Sequence, residues 1–162
     1  MNKSFEIQAN NLDDTRRIAE ALSKAVIAAK GGLICLYGDI GAGKTTLTKE
    51  IAKNLGIKEK VTSPSFVILN EYHSGVMSLY HFDLYRLEGE GINSIIDEIL
   101  EYTTAENTLA IVEWAEFSAN QLSEERFEIK IEYVDETSRN FCFKAYGTKN
   151  DSILNKIIEE LK

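Results

Sequence analysis

Residues 33–45 read Leu33-Ile-Cys-Leu-Tyr37 and then Gly38-Asp-Ile-Gly-Ala-Gly-Lys44-Thr45. The first five residues are apolar throughout, which is typical of a central strand buried on both faces. The next eight match the pattern G-x-x-x-x-G-K-S/T in full, and a helix is predicted from about Lys44 to Leu55. Strand, glycine-rich loop and helix in this order predict a P-loop, which binds the phosphates of a nucleotide.

Each residue type in this loop suits phosphate binding. Glycines let the backbone curl so that successive N–H groups point at phosphate oxygens, and the positive end of the following helix adds to that field. We expect Lys44 to reach the β- and γ-phosphates, and the Thr45 hydroxyl to bind Mg²⁺. We also expect a side chain at Gly43 to crowd this phosphate-binding loop. The other predicted nucleotide contacts in the loop are Gly38, Asp39, Gly41, Ala42 and Thr46.

The chain on either side of the loop predicts an α/β fold. Apolar residues recur at helical spacing after Asn11, a plausible N-cap, up to about Lys30, where Gly31-Gly32 is expected to end the helix. Leu109-Ala-Ile-Val112 is a second buried strand, which we expect to be a parallel neighbour or near-neighbour of residues 33–37.

Alternating patterns predict the remaining strands. Phe5 and Ile7 indicate an opening strand, and short turns join two antiparallel hairpins, at 67–82 and 127–145. Helical stripes occupy 92–100 and 153–161. The prediction is a P-loop NTPase-type mixed sheet with a parallel core, antiparallel hairpins and flanking helices, forming a single domain over residues 1–162.

Composition narrows the function. The net charge of −8 argues against direct binding of DNA or RNA, which requires clustered Lys and Arg. No apolar run approaches the roughly 20 residues that span a bilayer, and the N-terminus lacks a signal-peptide pattern, so we expect a cytoplasmic protein. Cys35 and Cys142 are far apart in sequence and form no CxxC pair, which gives a zinc site no support. No N-K-x-D guanine signature is evident, which favours ATP over GTP.

Two carboxylates follow predicted strands. Phosphoryl transfer needs an acid near the metal and a group that orients the attacking water. Glu113 ends the more uniformly apolar strand, so we assign it to Mg²⁺, directly or through water. Asp83 is then the candidate for orienting or activating the water, although it too could hold the metal. The pattern alone favours a core aromatic at Trp114 and an ordinary strand residue at His81.

Four segments resemble one known family in order and spacing. They are Gly38-Asp-Ile-Gly-Ala-Gly-Lys-Thr-Thr46, Thr62-Ser-Pro-Ser-Phe66, His81-Phe-Asp-Leu-Tyr-Arg86 and Val112-Glu-Trp114. They are similar to the G-D-L-G-A-G-K-T-T, S-P-T-F, H-F-D-L-Y-R and I-E-W segments of the TsaE (YjeE) family, the small ATPases of bacterial tRNA threonylcarbamoyladenosine synthesis.

The resemblance implies an ATPase that acts beside TsaD and TsaB, meets tRNA only indirectly through that complex, and resets the transferase for further turnovers. It implies that Thr45 and Glu113 bind the metal, that Asp83 is the essential aspartate, and that Trp114 is functional rather than a core aromatic. Residues 63–66 correspond to a switch-like loop over the γ-phosphate. Thr15 and Arg139 match the family's remaining nucleotide contacts.

Two other functions compete with a partner-dependent ATPase. A small-molecule kinase would need an acceptor pocket and often has an arginine-rich lid, but the chain has only five arginines and no cluster of them. A non-hydrolytic nucleotide switch would have no need for both Asp83 and Glu113. A catalytic arginine speeds hydrolysis in P-loop enzymes. Only Arg86 lies in a motif near the predicted site, and its spacing does not show that it reaches the γ-phosphate. We therefore expect slow hydrolysis in isolation and faster hydrolysis in the complex.

Overall fold

The computed structural model describes residues 3–39, 41–64, 68–85, 95–118 and 122–162, without the side chains of 117 and 118. The described residues form a seven-stranded sheet in the order β1-β7-β6-β2-β5-β4-β3. The strands are β1 (Lys3–Ala9), β2 (Gly31–Tyr37), β3 (Leu69–Tyr72), β4 (Ser78–Asp83), β5 (Thr108–Glu113), β6 (Arg126–Tyr133) and β7 (Arg139–Tyr146). The helices are α1 (Leu12–Ala28), α2 (Lys44–Asn54), α3 (Ile96–Thr104) and α4 (Thr148–Leu161), with a short 3₁₀ helix at Ala115–Ser118.

The centre of the sheet is parallel and its edges are antiparallel. Strand β2 lies between β5 and β6 and runs parallel to both, and β4 runs parallel to β5. The pairs β3–β4, β6–β7 and β1–β7 are antiparallel. This arrangement confirms the predicted parallel pairing of the strands at 33–37 and 109–112, and it confirms both hairpins.

Apolar side chains cover both faces of the sheet. The larger core packs α1, α2 and α4 against one face, where Ile34, Leu36 and Ile111 point. A smaller core lies on the other face, where Ile99 of α3 packs with Cys35 and Val112. Successive strand residues alternate between the two faces, so the uniformly apolar sequence of β2 and β5 follows from burial on both sides.

The start of β2 corrects one prediction. Asn11 caps α1 as predicted, because its side chain accepts a hydrogen bond from the Asp14 N–H. Gly31-Gly32 does not end this helix, however: Lys30 adopts the left-handed backbone after it, with φ 62°, and Gly31 already belongs to β2. Gly31 is required by a close approach instead, since a Cβ there would lie 2.1 Å from the Thr108 carbonyl oxygen.

Some predicted segments lie partly outside the described residues. The third helix begins at Ile96, while residues 92–94 of its predicted stripe are not described. The same holds for Ile40, Arg86 and residues 65–67, which include two of the four residues of the predicted switch-like loop. In the described part of the chain, no helix has the length and apolar character needed to cross a membrane.

Candidate active site

The glycine loop, residues 38–45, leaves β2 at the edge where the parallel strands end. Gly38, Gly41 and Gly43 have φ angles of 147°, 82° and 108°, a region that glycine adopts without a steric penalty. A Cβ on Gly38 would lie 2.6 Å from the Ile131 carbonyl oxygen of β6. A Cβ on Gly43 would have no described atom within 4 Å, so the protein itself does not crowd this position, and it is the φ angle that calls for glycine there.

Lys44 begins α2 and folds back over the loop. Its side chain is buried, and its ammonium donates hydrogen bonds to the Gly38 carbonyl and, at 3.4 Å, to the Asp39 carbonyl. Nζ also lies 3.7 Å from the centroid of the Trp114 ring. Burial lowers the pKa of Lys44, and the nearby carboxylates, led by Glu116, act in the opposite direction.

Thr45 and Glu113 meet beside the loop. The Thr45 hydroxyl donates to Glu113 Oε1 at 3.2 Å, and Glu113 is only 2% exposed. The contact follows from the sheet: Glu113 is the last residue of β5 and lies opposite Leu36 of β2, two residues before the loop begins. The other carboxylate oxygen, Oε2, contacts Nε2 of His81 on β4.

Asp83 lies next to this pair on the neighbouring strand. It ends β4 opposite Glu113, so the two predicted carboxylates are side by side at the same edge of the sheet. Asp83 is 4% exposed and accepts hydrogen bonds from the Tyr85 N–H at 2.9 Å and the Ser63 hydroxyl at 3.4 Å. These bonds fix the orientation of its carboxylate.

Trp114 turns the chain immediately after Glu113. Its backbone is left-handed, with φ 57°, which is uncommon for a residue with a large side chain. The half-buried ring packs at the margin of the smaller core and faces the Tyr85 ring, with 5.0 Å between centroids. Trp114 therefore bridges the core and the Lys44 ammonium rather than lying wholly inside the core.

Thr15 and Arg139 lie on the other side of the loop. Arg139 donates from Nε to the Ala42 carbonyl at 3.1 Å, and from Nη1 to the Asp135 and Ser138 carbonyls. A cavity of about 320 Å³ lies there, and the predicted residues that line it are Thr15, Ala42, Gly43, Thr46 and Arg139. The structure thus places the predicted residues in two groups that share the glycine loop. The first group lines this cavity. The second group consists of Lys44, Thr45, Asp83, Glu113 and Trp114.

Comparison with known proteins identifies the family. A family model described as threonylcarbamoyl adenosine biosynthesis protein TsaE matches residues 9–141. The chain is 36% identical over 155 residues to the Bacillus subtilis tRNA threonylcarbamoyladenosine biosynthesis protein TsaE, covering 96% of this chain and 94% of that protein. The chain belongs to the TsaE family.

Further relatives agree with this assignment. A Nostoc protein with the same description is 41% identical over 128 residues, which is 78% of each chain. The crystal structure of Bacillus subtilis YdiB superposes with a TM-score of 0.82 at 33% identity, covering 100% of this chain and 99% of that one. The TsaE family takes part in tRNA threonylcarbamoyladenosine biosynthesis, so the resemblance noted from the sequence is confirmed.

The TsaE-family site is rich in oxygen donors. Within the described residues, no three His, Cys, Asp or Glu side chains converge as a ready-made metal cage. Beside the glycine loop, the Thr45 hydroxyl and the Glu113 carboxylate form a pair of hard oxygen donors 3.2 Å apart. Two such ligands are enough for Mg²⁺, which usually takes one or two protein groups, substrate phosphates and water.

Sequence reasoning missed His81 in this TsaE-family site. His81 begins one of the family-like segments but was given no role beyond that of a hairpin-strand residue, yet its ring is fully buried against Glu113. One signal was available: residues 81 and 83 are two positions apart in a strand, so their side chains lie on the same face of β4. A group next to Asp83 on the neighbouring strand is therefore also close to His81. That signal became useful only once β4 was known to pair with β5.

Proposed function

We propose that this chain is a cytoplasmic Mg-ATP-dependent P-loop ATPase that acts with TsaD and TsaB to support turnover of the tRNA-modifying transferase. One observation carries the proposal: a hydroxyl at the start of α2 and a buried carboxylate at the end of β5 lie 3.2 Å apart beside the glycine loop. Hydrolysis of a nucleotide needs such a pair near the metal together with a further group that orients the attacking water, a role that Asp83 can take.

Each residue of the site has a role in this proposal. The loop N–H groups and Lys44 bind the phosphates, and Lys44 exchanges its carbonyl contacts within the loop for phosphate oxygens. Thr45 and Glu113 hold Mg²⁺, which neutralises charge on the phosphates when bound. Asp83 orients the attacking water and accepts its proton, and its bonds to Ser63 and Tyr85 fix the direction of that carboxylate.

The nucleotide base belongs on the Arg139 side of the loop. The cavity there is lined by Thr15 of α1 and by Thr46, the second residue after Lys44 in α2. Its volume of about 320 Å³ is within the range of pockets that hold small ligands. The first group of predicted residues, which lines this cavity, supports this placement of the base.

The arginine contacts support slow hydrolysis without partners. Arg139 touches the loop, but its guanidinium already donates to four main-chain carbonyls, those of Gly41, Ala42, Asp135 and Ser138. Moving this guanidinium to a γ-phosphate would break those bonds. An arginine in place at the γ-phosphate contributes about 10³ to 10⁵ in rate, so we expect a partner to raise turnover.

Phosphate release tests the proposal. We expect release by the wild type to rise when TsaD and TsaB are added, and to vanish in Lys44→Ala. Asp83→Asn should bind ATP with near wild-type affinity, measured through the fluorescence of the single tryptophan, yet fail to hydrolyse it.

Two results would redirect the assignment. Transfer of the γ-phosphate to a metabolite instead of water would identify a small-molecule kinase. If Asp83→Asn abolished hydrolysis but still supported tRNA modification, the chain would be a nucleotide switch. Equal turnover with and without TsaD and TsaB would overturn partner dependence.

A further inference from the structure

His81 occupies an unusual position for a histidine. It lies in the middle of β4 with no solvent exposure, two residues before Asp83. Nε2 contacts Glu113 Oε2, but Nδ1 is buried and has no hydrogen-bond partner among the described residues. A carboxylate oxygen can only accept, so Nε2 is the donor in this contact. Whether the ring is neutral or charged, Nδ1 remains unsatisfied.

An unsatisfied buried nitrogen weakens the fold. A leucine would fill a similar volume on β4 without burying a polar atom. The histidine is therefore not explained by core packing, and its one polar contact is the property that leucine would lack. That contact is made to Glu113, which the sheet holds at the edge where the glycine loop begins.

Glu113 needs this contact because its carboxylate rotates about a soft torsion. The last torsion of a glutamate side chain is broad and roughly two-fold, so one hydrogen bond does not fix the plane of the carboxylate. In the structure, the Thr45 hydroxyl of α2 is nearer to Oε1, at 3.2 Å, than to Oε2, at 3.5 Å, and His81 of β4 contacts Oε2 alone. The two contacts come from different elements and together define the orientation of the carboxylate.

We propose that His81 is the positioning residue for Glu113: it holds Oε2 from β4 so that Oε1 faces the Thr45 hydroxyl and the two can share one divalent cation. This inference rests on the proposed Mg²⁺ role of Thr45 and Glu113. Groups that orient metal-binding side chains from behind commonly change metal affinity about 10- to 100-fold when they are removed. His81 acts through Glu113 and touches neither nucleotide nor metal.

Two substitutions separate the hydrogen bond from the ring. In His81→Gln, the amide Nε2 can reach the place of the imidazole Nε2 and donate to Glu113. In His81→Leu, the volume is kept and the donor is lost. His73 is the matched control: it is the only other histidine of the chain, and it lies exposed between β3 and β4, in contact with Glu71 and Ser78.

The measurement is the Mg²⁺ concentration that gives half of the tryptophan fluorescence change, at a saturating level of a non-hydrolysable ATP analogue. We expect this concentration to rise about 10- to 100-fold in His81→Leu and to stay near the wild-type value in His81→Gln and His73→Leu. Analogue binding in EDTA should be the same in all of these proteins, because the contact concerns only the metal-binding carboxylate.

The outcomes are distinct. A wild type whose analogue binding ignores Mg²⁺ would refute the proposed metal site, and the role of His81 with it. A Mg²⁺-sensitive wild type with a normal, folded His81→Leu would overturn the positioning role alone, as would a glutamine variant as impaired as leucine. If His81→Leu does not fold, His81→Asn replaces it, because the shorter amide of asparagine does not reach Glu113. We expect His81→Asn to need a higher Mg²⁺ concentration than His81→Gln. Equal Mg²⁺ requirements in these two variants would overturn the proposal.

Discussion

Replacing Gly38 by alanine should weaken nucleotide binding through one identifiable collision. The new Cβ would lie 2.6 Å from the Ile131 carbonyl oxygen, whereas real Cβ contacts are essentially never closer than 3.0 Å. The loop must therefore move away from β6 by at least about 0.4 Å, the difference between these two distances. The φ angle of 147° adds backbone strain, because side chains rarely adopt it.

These two effects set the expected magnitudes. Overpacking and backbone strain together should cost about 2–5 kcal/mol of unfolding free energy. For a chain of this size, even the lower value lowers Tm by at least about 4 °C. Because the shift moves loop N–H groups away from where phosphate oxygens would lie, we expect Kd for ATP to rise about tenfold.

Gly31→Ala is the matched control. Its Cβ would lie 2.1 Å from the Thr108 carbonyl oxygen, so the collision is more severe than at Gly38. Gly31 begins β2, however, and the loop follows the other end of the strand, roughly 20 Å away. Thermal unfolding and calorimetric ATP titration should therefore show the larger Tm loss in Gly31→Ala and the larger Kd in Gly38→Ala. The reasoning fails if Gly38→Ala binds ATP normally, or if Gly31→Ala weakens binding as much.

Three further predictions concern single side chains. Arg139→Ala should raise Kd for ATP about 5- to 30-fold in calorimetry, since the loop loses its bonds to β7, with partial recovery in Arg139→Lys. Because burial lowers the pKa of Lys44, the ammonium loses half of its charge at a lower pH than free lysine does, so Kd should double before pH 10.5 is reached, and a Kd that has not doubled by that pH would contradict the shift. Burial raises the pKa of both cysteine thiols, but Cys35 is fully enclosed while Cys142 is partly exposed, so a thiol reagent should modify Cys142 first and Cys35 only on unfolding.

The sequence was most informative where a local pattern determines the structure. Residues 33–45 predicted strand, loop and helix because each structural requirement selects residue types within that segment. Burial on both faces selects apolar residues in β2, and the positive φ angles of the loop select glycine. Glu113 and Asp83 were found in the same way, since each ends a strand of the parallel core. The pairing of these strands then brought the two carboxylates together without any further signal.

The sequence was least informative where the cause lies in a distant segment. Gly31 looked like the end of a helix, but the requirement for glycine comes from Thr108, across the sheet. His81 looked like an ordinary strand residue, because its partner Glu113 is 32 positions away. Arg139 was placed at the nucleotide by resemblance alone, and its bonds to the loop depend on how the β6–β7 hairpin packs. Each of these contacts is set by tertiary packing, which a linear pattern does not contain.

The left-handed backbone of Trp114 places backbone strain and side-chain contacts in opposition at one position. Glycine or asparagine would relieve a strain of about 1–2 kcal/mol there. Any redesign that ranks positions by backbone strain alone would therefore select Trp114 for replacement, and would remove a ring that packs against the smaller core, Tyr85 and Lys44. Thermostabilised versions of this chain should be screened for nucleotide binding at every round, with position 114 held fixed.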